Sequence, residues 1–418
     1  MSKKPCDSLL DQSLLTQCSV ADTMKKSHGA CHSTVESSCG RTSTDRHWWS
    51  LRRSISPGRS YVPVIDGLRC IAILFVVVYH LNDYLVAKMG AWERAELREN
   101  PLFNFFHVGS CGVPLFFAIS GFILSLPFLV HSKQGSAPNL KHYFLRRVTR
   151  LEPPYLINLV IIFALLCIVN GQSFAELLPH FGASCLYLHN QIYGQMSQIN
   201  FVAWSLEIEV QFYLLMPLIA WLFFKRRGRA RRSWLWLILI AIVAAKTLYA
   251  ASAPTRLQLS LPFVLDHFLV GILLADIFVN DWHQNPKRSH GFDALGVVAW
   301  TALVCLQFES RTLYLFPLVM LVAYIGAIRG KLIHALLTAG PVPIIGGMCY
   351  TIYLFHFYII SFVGRGMLPQ IVGFGYTSAI LLMIATIVPT VIIVSCILFK
   401  LFEQPFMNWR PWSRGIAA

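Results

Sequence analysis

Ten apolar stretches of about 20 residues recur along the chain, each long enough to cross a hydrocarbon core ~30 Å thick at about 1.5 Å of helical rise per residue. They lie at roughly 64–86, 111–130, 153–170, 203–224, 233–251, 260–279, 291–308, 311–329, 342–364 and 377–402. A soluble domain has no interior for so many continuous apolar helices. Composition agrees, since 56% of the 418 residues are hydrophobic and 13% are charged. The pattern predicts an all-α polytopic membrane protein with about ten transmembrane helices. Segment 174–189, FAELLPHFGASCLYLH, is too polar and too short to span, and reads as a surface or re-entrant piece.

The net charge of +15 could mark a nucleic-acid partner, but its distribution argues for a bilayer. With the amino terminus inside, 27 of the 35 Lys and Arg fall in the tail and alternate loops on that side, and 6 fall on the other. This is positive-inside topology, with both termini cytoplasmic in a cytoplasmic or inner membrane. The run KRRGRARR at 225–232 then faces anionic headgroups, and no nucleic-acid role is expected.

Residues 1–60 are rich in Ser, Thr, Cys and Lys, with no apolar run before Trp48-Trp49, and read as a disordered cytoplasmic tail. Residues 61–408 form the membrane domain, and 409–418 a short cytoplasmic C-terminal tail. The N-terminal tail holds Cys6, Cys18, Cys31 and Cys39 but no C-x-x-C pair, so free thiols are expected rather than zinc. Cys111 and Cys185 both fall on the outer side, which leaves a disulfide between them open.

The first span, IDGLRCIAILFVVVYHLNDY at 65–84, carries Arg69 and His80. Burying either group in hydrocarbon costs several kcal/mol unless something compensates. Eleven helical residues turn through about 1,100°, so the two share one face about 16 Å apart along the axis. Arg69 could snorkel to headgroups and His80 could bond a neighbouring helix. The functional reading is a cationic anchor near the cytoplasmic mouth and a proton-handling group past the midplane.

Further polar residues recur at membrane depth. GVPLFFAISGFIL at 112–124 reads as small-residue helix packing. The inner loop KHYFLRRVTRLEPPY at 141–155 sets Arg146, Arg147 and Arg150 on one face if helical, a credible phosphate grip. Topology alone would also explain those arginines. Pro153-Pro154 punctuates the entry to the third span. WSLEIEVQFYLLMP at 204–217 brings Glu207 and Glu209 near the outer face, level with His80 and with His356 of YTIYLFHFY. The two glutamates point about 200° apart, so one at most faces a common site. Lys246 and Asp266 fall level on adjacent spans and predict a buried ion pair.

Taken in order, Arg69-x10-His80, GVPLFFAISGF, RRVTRLEPPY, WSLEIEVQFY, YTIYLFHF and LFEQP at 401–405 resemble the acyltransferase-3 family of integral membrane O-acyltransferases. The resemblance covers roughly residues 60–408. It implies transfer of an acyl group, acetyl first, from cytosolic acyl-CoA to a sugar hydroxyl. The acceptor would be a cell-surface or lipid-linked glycan, or a glycosylated small molecule. His80 and Glu209 would be catalytic, with Glu209 selected by the family's W-S-L-x-x-E pattern and polarising the His80 imidazole. Arg69, Arg146, Arg147 and Arg150 would hold the acyl-CoA phosphates, with Ser120, Trp204, Tyr353 and His356 in support. Acyl-CoA enters as co-substrate; no bound cofactor or metal is expected. Many members carry an attached hydrolase-like extracytoplasmic domain, and the stand-alone form is expected here. A competing reading is a transporter or flippase using the buried Arg, His and Glu as a proton or anion path.

Cysteine labelling tests the topology. Single cysteines in 225–232 should be protected from an impermeant reagent applied outside, and those in 190–200 should react. The opposite pattern would reverse the orientation.

Overall fold

The computed structural model describes residues 62–89, 97, 100–225, 228–249, 252–308, 314–371 and 373–408. All of these belong to one unit; the tails expected at 1–60 and 409–418 lie outside the described residues. Ten long helices dominate. They are α1 (Pro63–Lys88), α2 (Gly112–Lys133), α3 (Leu140–Ile168), α4 (Trp204–Phe223), α5 (Gly228–Tyr249), α6 (Leu261–Asn280), α7 (His290–Phe308), α8 (Phe316–Arg329), α9 (Cys349–Ile371) and α10 (Tyr376–Leu398). Among the described residues there is no strand. Among the described residues, nine segments are long and apolar enough to cross a membrane, and α8 with the helix Leu332–Thr338 passes the same test as a pair bent by 81°. The chain is a polytopic α-helical membrane protein.

Two boundaries depart from the sequence reading, and the 174–189 segment agrees with it. The arginine-rich segment at 141–155 is not a loop: α3 starts at Leu140, where the Asn139 side chain accepts from His142 N at 3.1 Å, and runs on through Pro153-Pro154. That capping bond meets one of the unpaired donors at the helix start, so the helix begins thirteen residues before the apolar run does. The stretch expected as one span at 342–364 is interrupted, with a short helix Val342–Gly347 preceding α9. The 174–189 segment contains an amphipathic helix, Phe174–Cys185, that is not among the candidate spans. Cys111 and Cys185 are both free thiols.

α1 and α6 are the most buried spans. α1 packs on α2 and α9, and α2 packs along α6 and α4. The α2–α6 crossing is the closest. A Cβ on Gly121 would overlap the Phe268 carbonyl oxygen, and one on Gly271 would overlap the Ala118 carbonyl oxygen. Small residues admit such close backbone approach, which is how membrane helices gain contact without a hydrophobic driving force. The crossing also sets Phe117 of α2 on Phe268 of α6, rings stacked at 4.8 Å, with Phe212 of α4 stacked on Phe268 at 4.1 Å.

Ion pairs tie the bundle at both ends. Lys246 of α5 donates to Asp266 of α6 at 2.9 Å, the pair expected from their level placement. Toward the other end of these helices, Arg231 and Arg232 both pair with the buried Asp276. Between α3 and α9, buried Asn158 donates to Leu354 O at 3.1 Å, and Asn200 donates to Asn158 Oδ1 at 2.7 Å.

Gly271→Val should therefore be much harder to fold than a substitution on the lipid-facing side of α10. Overpacking costs about 1–3 kcal/mol where neighbours can yield, and here the neighbour is backbone. Thermal stability of purified protein in detergent checks this; an unchanged melting temperature would mean that the crossing has slack.

Candidate functional site

Two cavities open among α1, α2, α4 and α9, and Phe117 lines both. The first, of about 80 Å³, gathers Arg69 from α1, Ser120 from α2, Arg147 and Arg150 from α3, Ser205, Glu209 and Tyr213 from α4, and Tyr353 from α9. Each cation is held by its own partner. Arg69 donates to Asp66, one helical turn back, at 2.7 Å. Arg147 lies over the rings of Tyr143 and Tyr213, 5.8 and 5.7 Å from their centres. Arg150 lies 3.9 Å from Glu403, whose carboxylate also accepts from Thr351 N at 3.2 Å and Thr351 Oγ1 at 2.6 Å. Glu403 reaches this position from a π-helical turn, Phe399–Glu403, that follows α10.

The Glu209 carboxylate lines this cavity beside the guanidinium groups and accepts from the hydroxyls of Ser120 and Tyr213. Tyr213 is one turn along the same helix, the spacing at which helical side chains meet. Three planar forks converging on one narrow cavity make a site suited to phosphate or carboxylate oxygens.

The second cavity is larger, about 810 Å³, and is lined by Tyr79, His80, Asp83, Phe201, Trp204, His267, Phe357, Ser361 and Arg365 among others. His80 sits in an aromatic surround, its ring centre 5.2 Å from His356, 5.5 Å from Phe201 and 5.8 Å from Phe357. His356 is fully buried. Its Nδ1 lies 2.8 Å from Tyr353 O and 3.1 Å from Ile352 O. A carbonyl only accepts, so Nδ1 carries the proton and Nε2 is left as an acceptor. That Nε2 has no hydrogen-bond partner among the described residues.

With this geometry in view, the comparisons with known proteins are direct. The family model described as an acyltransferase domain matches residues 62–399. The chain belongs to this acyltransferase family. It is 25% identical over 388 residues to a Staphylococcus aureus (strain COL) protein named "Putative O-acetyltransferase SACOL0978", covering 84% of this chain and 59% of that one. It is also 25% identical over 350 residues to O-acetyltransferase OatA of Staphylococcus aureus (strain NCTC 8325 / PS 47), covering 76% of this chain and 54% of the relative. The match thus spans somewhat over half the length of these relatives. No solved structure matches the chain.

Among the residues singled out in this family member, Arg69, Arg147, Arg150, Glu209, Ser120 and Tyr353 meet in the first cavity, while His80 and Trp204 line the second. His356 stands behind His80. Two expectations need correction. Arg146 does not line the cavity: it is exposed, and its Nε donates to His142 O of its own helix at 2.9 Å. One residue of α-helix turns about 100°, which carries Arg146 off the face that Arg147 presents. Glu209 is not the neighbour of His80 either. It lies five residues inside the start of α4, about 7.5 Å down the axis, where Ser120 and Tyr213 hold it beside the arginines. The imidazole beside His80 belongs to His356.

Asp66, Tyr213 and Glu403 escaped the sequence reading as site residues. The first two had a signal in their i,i+3 and i,i+4 spacing from Arg69 and Glu209. Glu403 had a signal in the LFEQP motif, but its partners were not legible because they lie 52 residues or more away.

Glu207 faces away from both cavities, is fully buried, and accepts from Asn190 N at 2.9 Å. Glu207→Gln keeps an acceptor oxygen and should leave stability near that of the parent protein. Glu207→Ala strands the buried donor and should cost about 1–3 kcal/mol. Melting of both purified variants checks this, and equal stabilities would remove the bond from the account.

Proposed function

We propose that the protein is a membrane O-acyltransferase that moves an acyl group, acetyl first, from cytosolic acyl-CoA to a sugar hydroxyl presented from the opposite side. The observation that carries this reading is the pair of cavities that share Phe117 in their walls, with Arg69, Arg147 and Arg150 lining one and His80 the other. The positive-inside distribution of Lys and Arg supports cytoplasmic termini, so the arginine cavity would receive donor from the cytosol. Arg69, Arg147 and Arg150 would bind the phosphates of CoA, and the extended pantetheine arm would carry the thioester toward Phe117. In the second cavity, the aromatic walls offer apolar faces for a pyranose ring, and Asp83 and Ser361 offer hydrogen-bonding groups.

Transfer then follows from the two sides meeting. The acceptor oxygen attacks the thioester carbonyl, a C–O bond forms, and the C–S bond breaks. His80 takes the hydroxyl proton and returns it to the departing thiolate, so the imidazole ends neutral. His356, with its proton committed to backbone carbonyls, would offer Nε2 to a His80 N–H and set the tautomer that leaves the other His80 nitrogen free as base. Glu209, joined to Ser120 and Tyr213, would fix the floor of the donor cavity and keep its hydroxyls oriented. The names of the Staphylococcus relatives support O-acetylation as the reaction class.

The test is coenzyme A release from acetyl-CoA by purified protein with a glycan acceptor extract. Acceptor-dependent release separates an enzyme from a transporter. His80→Ala should lower turnover at least ~10²-fold while acyl-CoA still binds, since general-base groups contribute about 10²–10⁴-fold. Arg69→Lys keeps the charge but loses the planar fork, and should weaken acyl-CoA binding in protein that is still folded and inserted. Near-normal turnover in His80→Ala would overturn the mechanism, and full donor affinity in Arg69→Lys would return Arg69 to a packing role with Asp66.

A further inference from the structure

The reacting groups in this reading lie in different cavities, so something between them must decide what passes. Phe117 is the residue common to both linings. Chain neighbours divide around it: Trp204 lines the outer cavity and Ser205 the inner one. The Phe117 ring is held on two sides, stacked on Phe268 at 4.8 Å and edge-on to Trp204 at 6.3 Å, and is almost fully buried. The wall opposite is fixed as well, since Tyr353 bonds to Val202 O and to Ser205 Oγ, the latter at 2.9 Å. The inner cavity, at about 80 Å³, is far narrower than the outer one at about 810 Å³. An acyl chain lodged on the narrow side lies against this wall, and a longer chain must find room at the wall's expense.

We infer that Phe117 is the partition between a donor chamber and an acceptor chamber, and that its ring sets the length of acyl chain that can be transferred. This rests on the acyl-CoA reading above and adds to it a specificity-determining residue. The thioester carbonyl must reach the boundary at Phe117 to be attacked from the His80 side, and the rest of the acyl chain must then occupy the space beside the ring. Phe117 would act by packing alone, since it has no group able to carry a proton or bond a phosphate.

Replacing the ring by a smaller side chain should move the preference toward longer donors, and replacing it by a larger one should do the reverse. The experiment compares Phe117→Leu, Phe117→Ala and Phe117→Trp with the parent protein. For each, turnover with butyryl-CoA is divided by turnover with acetyl-CoA in the same preparation. That ratio cancels differences in the amount of folded enzyme. One methylene in an apolar pocket is worth about 10–200-fold in discrimination, so the ratio should rise at least ~10-fold in Phe117→Ala, by less in Phe117→Leu, and fall in Phe117→Trp. A parent protein active with acetyl-CoA whose three variants keep its ratio would overturn the partition while leaving the functional reading in place. A folded parent protein that releases no coenzyme A from any acyl donor would overturn the functional reading, and the partition with it.

Discussion

A guanidinium group inside a bilayer is tolerated only when neighbouring groups replace the water it has lost, and the interior of this protein is arranged around meeting that need. Arg69 has Asp66, Arg150 has Glu403, Arg147 has two tyrosine faces, and Arg231 and Arg232 share Asp276. The pairs fall into two kinds. Arg231 and Arg232 close on their carboxylate at the meeting of α5 and α6, away from both cavities. The three cavity arginines converge on common space from two helices, with partners placed behind or beside them. Polar groups lining a cavity are what a membrane protein keeps for function, and those facing each other across a helix contact serve packing.

The close α2–α6 crossing connects this electrostatic arrangement to the geometry of the two chambers. Because Gly121 and Gly271 let the helices approach to backbone contact, Phe268 comes directly beneath Phe117. The row from Phe212 through Phe268 and Phe117 to Trp204 then crosses the bundle at the level where the two cavities adjoin. A transporter pathway needs a route that opens alternately to either side. A wall of interlocked aromatic rings fits better with two compartments that exchange one small group.

How much of this was legible in the sequence depends on the distance over which each feature is specified. The spans were readable because twenty apolar residues state their own requirement. The facing of Arg69 and His80 on α1 followed from helical period alone, as did the separation of Glu207 from Glu209. The start of α3 was not readable from hydropathy, since a capping Asn139 and arginines that line a cavity look like a loop when only apolar length is counted. The partners of Glu209 were not legible from span ends, since one of the hydroxyls that hold its carboxylate, Ser120, comes from another helix 89 residues away. His356 beside His80 is a contact between α1 and α9 and belongs to tertiary structure.

The π-helical turn at Phe399–Glu403 carries a consequence for how the protein tolerates changes in length. Such a turn holds one residue more than the α-helical course around it would, so the segment behaves as α10 with a single insertion absorbed. Removing one residue there would let the backbone return to ordinary helix with its hydrogen bonds intact and no apolar surface lost. It would also rotate everything beyond by about 100°, carrying the Glu403 carboxylate away from Thr351 and Arg150. The local chain would be more regular, while a guanidinium 253 positions earlier in the sequence lost its counter-charge. Chain length at this one turn is therefore fixed by helices that are not its neighbours in sequence.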